Sequence, residues 1–392
     1  MITQGPSIIR LAKFVNGNAY KPEDFLVGAG YPVVRIRQLL DENAALELAQ
    51  PPDNAVWVDS GDLVFSWSAS LEVRFWRRGR ALLNQHLFRV DVHSGIERRW
   101  FAYVLDEAVR RLRPLMHGSA MTHITLDMLA GVRISVPPKA AQRAIADYLD
   151  RETARTDALI GTKKRIVALL DERLNAVSEA SIWFDGHHAR STTPLRRLAL
   201  RIDVGIAEAA THAYAATGVP LLRSMNIRRN YLDTEDLLFI APWFAYRNRS
   251  KYIRAGDILT VRTGDVGVSA VVPRELHLSQ CFTQLITTVR PPHSPEFVCY
   301  ALNSGQARDY LELSGWGSAQ SNISVPLLAG APIPQVEPAE QKRLVRTIYA
   351  ATTRIQTASA VLSEQISRLE ERRRAVITTA VTGELEIPGV AA

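Results

Sequence analysis

Cysteine is almost missing from this chain. Its 392 residues include two, Cys281 and Cys299, without CxxC spacing and without a flanking His pattern, which argues against a disulfide framework or a thiolate zinc site. Long apolar runs are missing too, since no stretch reaches the about 18 residues that suggest a membrane-spanning helix. The opening Met1-Ile2-Thr3-Gln4 is not a basic region followed by an apolar one, so a cytoplasmic protein without a leader is expected. Catalytic signatures are equally scarce. There is no G-x-x-x-x-G-K-[ST] phosphate loop, and Gly28-Ala29-Gly30 is too short for a dinucleotide fingerprint. An amino-methyltransferase needs an Asn/Asp-Pro-Pro-aromatic loop to hold a flipped base. The Pro-Pro pairs Gln50-Pro51-Pro52-Asp53, Val136-Pro137-Pro138-Lys139 and Arg290-Pro291-Pro292-His293 all lack that pattern. Glu340-Gln341-Lys342 imitates a nuclease Glu-x-Lys, but it has no matched Asp and opens a predicted helix. His187-His188 reads as part of a solvated linker rather than a metal ligand pair. No catalytic residue, no metal and no cofactor is expected on this chain.

What is present is basic charge and repetition. Lys and Arg number 47 against 40 Asp and Glu, a formal net charge of +7, which fits a polyanionic partner. The segment Gly118 to Thr125 (GSAMTHIT) recurs as Gly317 to Ser324 (GSAQSNIS), 199 residues on. The same offset carries Gln85 onto Gln284, Val90 onto Val289, Ile134 onto Ile333, Gln142 onto Gln341 and Leu170 onto Leu369. A gap-free register from Gln85 to Val177 is therefore expected. Further upstream the offset slips: Gly61-Asp62-Leu63 matches Gly256-Asp257-Ile258 at 195, and Gly30 to Arg35 matches Gly218 to Arg223 at 188. An ordered series of matches makes the chain two copies of one unit, far longer than a solenoid repeat.

Each copy begins as a mixed globule, residues 1–138 and 192–337, with strands such as Asp62 to Ser66 and Asp257 to Val261 and helices such as Trp100 to Arg113. Each continues into a stretch free of Gly and Pro apart from Gly161 and the opening Pro338: residues 139–182 and 338–381. Heptad positions there read Ala146, Thr153, Ile160, Val167, Leu174 and Leu149, Thr156, Lys163, Leu170, Val177. In the second copy they read Val345, Thr352, Ser359, Ile366, Arg373 and Ile348, Ile355, Leu362, Leu369, Val376. Such seams predict a coiled coil, each helix about 66 Å long. Residues 183–191 form the linker and 382–392 a tail. The second helix can bury its seam by packing back along the first. The expected class is α+β: two mixed α/β domains in tandem, separated by two long antiparallel coiled-coil helices, with pseudo-twofold duplication. Two similar, non-identical readers imply a ligand with two different half-sites, and duplex DNA is the obvious long polyanion.

The order of motifs resembles a known family. A mixed domain ends in Ile323 to Pro334, Pro338-Ala339-Glu340-Gln341 opens a long helix, and that helix finishes Ala380-Val381-Thr382-Gly383-Glu384-Leu385. The first copy has Ile124 to Ile134, Pro137-Pro138, Gln142 and Leu170-Asp171-Glu172-Arg173. Over nearly the whole chain this is similar to the specificity subunit of type I restriction–modification systems. Ala141 departs from the pattern, standing where that family usually carries Glu before Gln142, which leaves the capping of the first helix open.

The resemblance implies two target-recognition domains that read double-stranded DNA at a bipartite, asymmetric site. It implies docking of two modification subunits carrying S-adenosylmethionine, and of restriction/translocase subunits using ATP and Mg. Base reading needs Arg for guanine and Asn or Gln for adenine. The DNA-contact candidates are Arg35, Arg37, Trp67, Arg74, Arg77, Gln85 and His86 in the first domain. In the second they are Arg223, Asn226, Arg262, Thr263, Gln284, Gln320 and Asn322. Partner docking is assigned to Leu149, Ile160, Val167, Leu170, Leu174, Ile348, Ile355, Leu362, Ile366 and Leu369. The alternatives are a self-contained DNA-modifying enzyme and a coiled-coil scaffold that binds no DNA.

Overall fold

A computed structural model describes residues 5–116, 123–315 and 322–387. The chain divides into two compact units, Met1–Lys163 with Glu364–Ala392, and Lys164–Ser363. The first unit runs β1 (Ala12–Asn16), β2 (Phe25–Leu26), β3 (Tyr31–Val34), α1 (Ile36–Leu40), β4 (Glu47–Ala49), β5 (Trp57–Val58), β6 (Leu63–Ser66), β7 (Glu72–Phe75), β8 (Ala81–Leu83) and β9 (Leu87–Val92). Then come α2 (Arg98–Leu112), α3 (Leu126–Ala130) and the first part of α4 (Lys139–Trp183). Two sheets result, ordered β1-β9-β6-β7 and β2-β4-β3-β8-β5, with β3 and β8 parallel. All four residues of β6 are buried. Leu63 and Phe65 join the core around Trp100, Phe101 and Leu105 of α2. Val64 joins the core of Val34, Trp76 and Leu83. A strand covered on both faces needs a continuous apolar run rather than alternation.

The second unit begins in α4 and runs through β10 (Phe184–Asp185), β11 (His188–Ala189), β12 (Thr192–Pro194), β13 (Ala199–Val204), β14 (Tyr214–Ala215), β15 (Val219–Leu222), β16 (Ile227–Arg228), β17 (Tyr231–Leu232) and β18 (Leu238–Ile240). It continues with α5 (Pro242–Arg247), β19 (Ile258–Thr260), β20 (Ser269–Val271), β21 (Gln280–Cys281), β22 (Leu285–Val289), α6 (Pro295–Leu302), α7 (Gly305–Gly315), α8 (Val325–Gly330), β23 (Pro332–Pro334) and the first part of α9 (Pro338–Thr382). Its sheets, β13-β22-β19-β20 and β14-β18-β15-β21, repeat the strand order of the first unit, including one parallel pair, β15 with β21, with an isolated Tyr252–Gln280 bridge in place of β5. The polar segment expected to be a linker is a β10–β11 hairpin turned at Gly186, whose φ is 60°. Cys281 and Cys299 are buried and unpaired. Burial pushes both thiols up, Cys281 to about 12.

Strand pairing corrects the expected register. Leu63 faces Val90 across β6 and β9, while Ile258 faces Thr287 across β19 and β22. Val90 therefore corresponds to Thr287, an offset of 197 rather than 199. Just before the strand, Gln85 donates its backbone N–H to Asn18, as Thr283 does to Ile206, so Thr283 rather than Gln284 is its counterpart, an offset of 198 there against 197 within the strand. The offset of 199 begins after the α2 and α6 N-caps: Glu97 precedes Gln142 by 45 residues, Ser294 precedes Gln341 by 47. A two-residue slip leaves every strand side chain on its original face, so matching identities could not reveal it.

Gln142 and Gln341 are the same device used twice. Each is 1% exposed. Gln142 Oε1 accepts from the Glu97 N–H at 2.7 Å, and its Nε2 donates to the Pro137 carbonyl at 2.8 Å. Gln341 accepts from Ser294 at 2.9 Å and donates to Val336 at 2.8 Å. One amide thus ties the start of a domain helix to the chain entering a long helix. At the start of α4 the Lys139 ammonium reaches the Ser94 carbonyl at 2.5 Å. In α9, Glu340 pairs with Arg343 at 2.5 Å.

Both long helices extend one residue past their expected ends, and α4 continues through Gly161. In the first unit the early part of α4 and the late part of α9 run antiparallel: Asp157 lies 2.9 Å from Arg373, and Lys163 donates to Gln365 at 2.6 Å. That bond lets a lysine stand in the seam. Ile145, Ala146 and Leu149 share the α2 core with Ile377 and Ala380. In the second unit Ile182 and Trp183 share the α6 core with Leu344 and Ile348. No helix among the described residues is long and apolar enough to cross a membrane.

Glu107 of α2 is buried and accepts from Arg110, Arg111 and Thr378 of α9. Burial alone would raise its pKa, but Arg110, Arg111 and Thr378 outweigh it and the net shift is downward. The stability it contributes is therefore complete above the ordinary glutamate pKa of about 4.3 and is lost as pH falls through the lower folded value. Glu107→Gln should flatten the acid limb of a pH–stability curve measured by urea unfolding. An unchanged limb refutes the assignment. Gln341→Met, which removes the bonds to Ser294 and Val336 and a third, to His293 Nδ1 at 3.1 Å, at similar volume, should lower unfolding free energy by about 1–3 kcal/mol, and a variant as stable as the parent would show that the bracket is dispensable.

Candidate nucleic-acid interface

In the first unit the candidates converge on α1. The backbone N–H of Arg35 donates to Gln38 Oε1 at 3.3 Å, and the Gln38 amide reaches the Ala45 carbonyl at 2.7 Å, so this short helix is fixed by its own side chains. Arg35, Arg37 and His86 line one cleft of about 470 Å³, with Glu47 and Asn84. Arg35 is held on Glu47 at 2.7 Å and lies 5.2 Å from the Phe25 ring centroid. Arg37 is exposed and has no ion-pair partner among the described residues. His86 meets the Ser68 hydroxyl through Nδ1 at 3.0 Å and packs 5.8 Å from Trp67. Gln85 is exposed beside it.

A second cleft, about 450 Å³, is lined by Gln38, Glu42, Arg74, Arg77 and Arg78. Arg74 pairs with Glu72 at 3.2 Å and Arg77 with Glu42 at 3.9 Å. Such exposed pairs contribute about 0–1 kcal/mol, so both guanidiniums can exchange a carboxylate for a phosphate. Trp67 is less available: its indole N–H is engaged by Gln85 O at 3.1 Å and Asn16 Oδ1 at 3.3 Å.

The second unit treats its candidates differently. Asn226 is 2% exposed, accepts from the Arg223 N–H at 2.9 Å and donates to the Asp233 and Asp236 carbonyls. Gln284 is 3% exposed, accepting from the Arg262 N–H and donating to the Phe282 carbonyl. Both are corrected from DNA contacts to internal braces, because every amide atom already has a backbone partner. Arg223, the counterpart of Arg35, is half-buried and donates to the Asp236 carbonyl at 2.9 Å. Arg262 holds Asn322 at 2.8 Å, and Thr263 bridges to Asn322 through the backbone. These three stand together at the surface. Gln320 lies outside the described residues.

The docking candidates all lie on the two long helices. Leu149, Ile160 and Ile348 are buried, and Val167, Leu170, Leu174, Ile355, Leu362, Ile366 and Leu369 are half-buried. Leu149 joins the core of the first unit and Ile348 that of the second. The outward apolar residues of these helices are Leu159, Ile166, Leu169, Tyr349 and Val361. Sequence reasoning also missed Arg80 over Trp57 at 4.6 Å, with Tyr31 edge-on to Trp57 at 4.8 Å. Trp57 meets the β8 end through antiparallel pairing, and nothing local in the sequence signals it. Among the described residues no three of His, Cys, Asp or Glu are grouped to hold a metal ion.

Residues 9–168 match the family model described as Type I restriction modification DNA specificity domain. The chain is similar to the type I restriction enzyme EcoBI specificity subunit of Escherichia coli, 21% identical over 408 residues, covering 97% of this chain and 85% of that protein. It is also 21% identical over 292 residues to the EcoKI specificity subunit of Escherichia coli strain K12, covering 70% and 62%. In fold it is similar to a solved chain from a study of complex assembly and conformational transition of the type I R-M system, with TM-score 0.69, 15% identity and 97% of each chain covered.

Arg37→Ala should leave the melting temperature unchanged and weaken duplex DNA binding by about 1–3 kcal/mol. Asn226→Ala should do the reverse, costing about 1–3 kcal/mol of stability through unsatisfied backbone groups. Anisotropy titration and thermal melts on both variants check the pair. Equal loss of binding at unchanged stability in the Asn226 variant would restore it as a contact.

Proposed function

We propose a reader without chemistry of its own for this chain, which belongs to the type I restriction–modification specificity family. Each copy of its duplicated domain reads one half of a bipartite, asymmetric DNA site. Residues 1–138 and 192–337 are the reading modules, joined through 183–191. Residues 139–182 and 338–381 are the helices that carry them, and 382–392 is a tail. The observation that supports this best is a shared strand order bearing different surfaces. The first module offers Arg35, Arg37 and His86 around a cleft, while the second offers Arg262, Thr263 and Asn322. Phosphate contacts position a protein on DNA, and guanidinium, imidazole and amide groups at base edges supply sequence. Two half-sites of different sequence call for one scaffold with unlike side chains.

Adenine methylation is carried out by two modification subunits supplying S-adenosylmethionine, and cleavage by restriction/translocase subunits using ATP and Mg. The modification subunits dock on the outward helix faces at Leu159, Ile166, Leu169, Tyr349 and Val361, where large apolar side chains meet solvent. The purified chain should bind duplex DNA in a salt-dependent manner without methylating or cleaving it. With a modification subunit added, adenine methylation should appear at one bipartite motif. Replacing residues 192–337 with those of a relative should change one half of the methylated motif and keep the other. Turnover by the lone chain, or a swap that alters both halves, overturns the reading.

A further inference from the structure

The two units share a strand order, and one connection between matching strands differs in length and charge. In the first, β4 ends at Ala49 and Trp57 pairs with Leu82; the intervening Gln50 to Val56 carries no cation. In the second, β18 ends at Ile240 and Tyr252 bridges to Gln280 in the matching place. The intervening Ala241 to Lys251 carries α5, three cations and no acidic residue. Trp243 and Tyr246 on α5 are 55% and 67% exposed.

These rings are held, not loose. Pro242 starts the helix with its fixed φ. Phe244 and Ala245 are buried on the other face, and Phe244 meets Trp243 edge-on at 5.6 Å. His212 packs 5.3 Å from Phe244. The buried Gln280 amide donates to the carbonyls of Ala245 and Asn248 at 3.1 and 2.7 Å. Arg247 and Asn248 grip Glu208 at 2.6 and 2.8 Å. The Arg247 guanidinium lies 5.9 Å from the Trp243 centroid, and that of Arg249 lies 5.0 Å from the Tyr246 centroid. Lys251 is occupied by Asp203 at 2.9 Å, which leaves Arg249 as a cation of this segment without an ion-pair partner among the described residues.

We infer that α5 is a DNA-docking platform present in the second unit and absent from the first. Trp243 and Tyr246 lie against deoxyribose along the groove, and Arg249 meets a phosphate. Aromatic rings flanked by stacked guanidiniums match nucleic acid in both shape and charge. A segment with cations and no acid fits a polyanion, whereas an uncharged apolar partner would leave Arg249 desolvated and unpaired. The inference rests on the DNA-reading function above and extends it: the second half-site acquires a contact that the first lacks.

The test uses the full chain, a duplex carrying the motif methylated by the reconstituted complex, and hydroxyl-radical footprinting with anisotropy titration. The double variant Trp243→Ala/Tyr246→Ala should bind about 10- to 100-fold more weakly and lose protection over the second half-site alone. Its melting temperature should not change, because both side chains are largely exposed. Arg249→Ala should reduce the slope of log affinity against log salt by about one. If the parent protects both half-sites and the variants match it, the platform is wrong and the DNA reading stands. If the parent protects neither, both fall. Variants that keep the footprint but no longer capture the modification subunit make α5 a protein contact and overturn the inference.

Discussion

The structure of the first unit depends on contacts made across most of the chain. Thr378 of α9 donates to Glu107 of α2 over a separation of 271 residues. Ile377 and Ala380 sit in the same core as Trp100 and Leu149. Fully burying an aliphatic side chain of that size contributes about 1.5–3 kcal/mol, so the core built by the first part of the chain is unfinished until the last helix arrives. The second unit is closed over shorter distances, by Ile182 and Trp183 from one long helix and Leu344 and Ile348 from the other. Each long helix therefore contributes to the core of one unit at its start and of the other at its end. This limits what the domains can vary. Their loops can change freely, but the helix positions that enter the cores cannot.

That division explains which parts were legible in the sequence. Duplication, helix ends to within a residue, and the seam were readable because they rest on periodicity, which burial imposes on every turn. The seam even tolerates Lys163, since Gln365 accepts its ammonium. The strand register was misread because period-two structure is blind to a two-residue slip. Asn226 and Gln284 were misread for a different reason. Their residue type suits adenine, but a buried amide that caps a turn has the same composition as an exposed one that reads a base. Arg37, Arg35 and His86 were placed together by a parallel strand pairing that no local motif announces. Apolar periodicity marks the seam as a covered face without saying what covers it.

Equivalent positions in the two copies need not do equivalent work. Arg35 and Arg223 occupy the same step of the fold, each donating its backbone N–H to a capping amide. Yet Arg35 reaches Glu47 across an open cleft and rests on Phe25, while Arg223 is half-buried and held on Asp236 by both its carbonyl and its carboxylate, at 2.9 and 3.5 Å. The capping side chains differ by one methylene, Gln38 against Asn226, and the local structures differ accordingly: a helix of 5 residues in the first unit and a 3-10 turn of 3 in the second. Arg37 and the matching Met225 are both exposed, so the same step presents a charge in one copy and a thioether in the other. The scaffold thus holds its hydrogen-bonding logic constant while the side chains presented at matching surface positions differ. Asymmetric reading from a duplicated fold requires no new architecture, because a short change at α1 and an added α5 already give the two copies different chemistry.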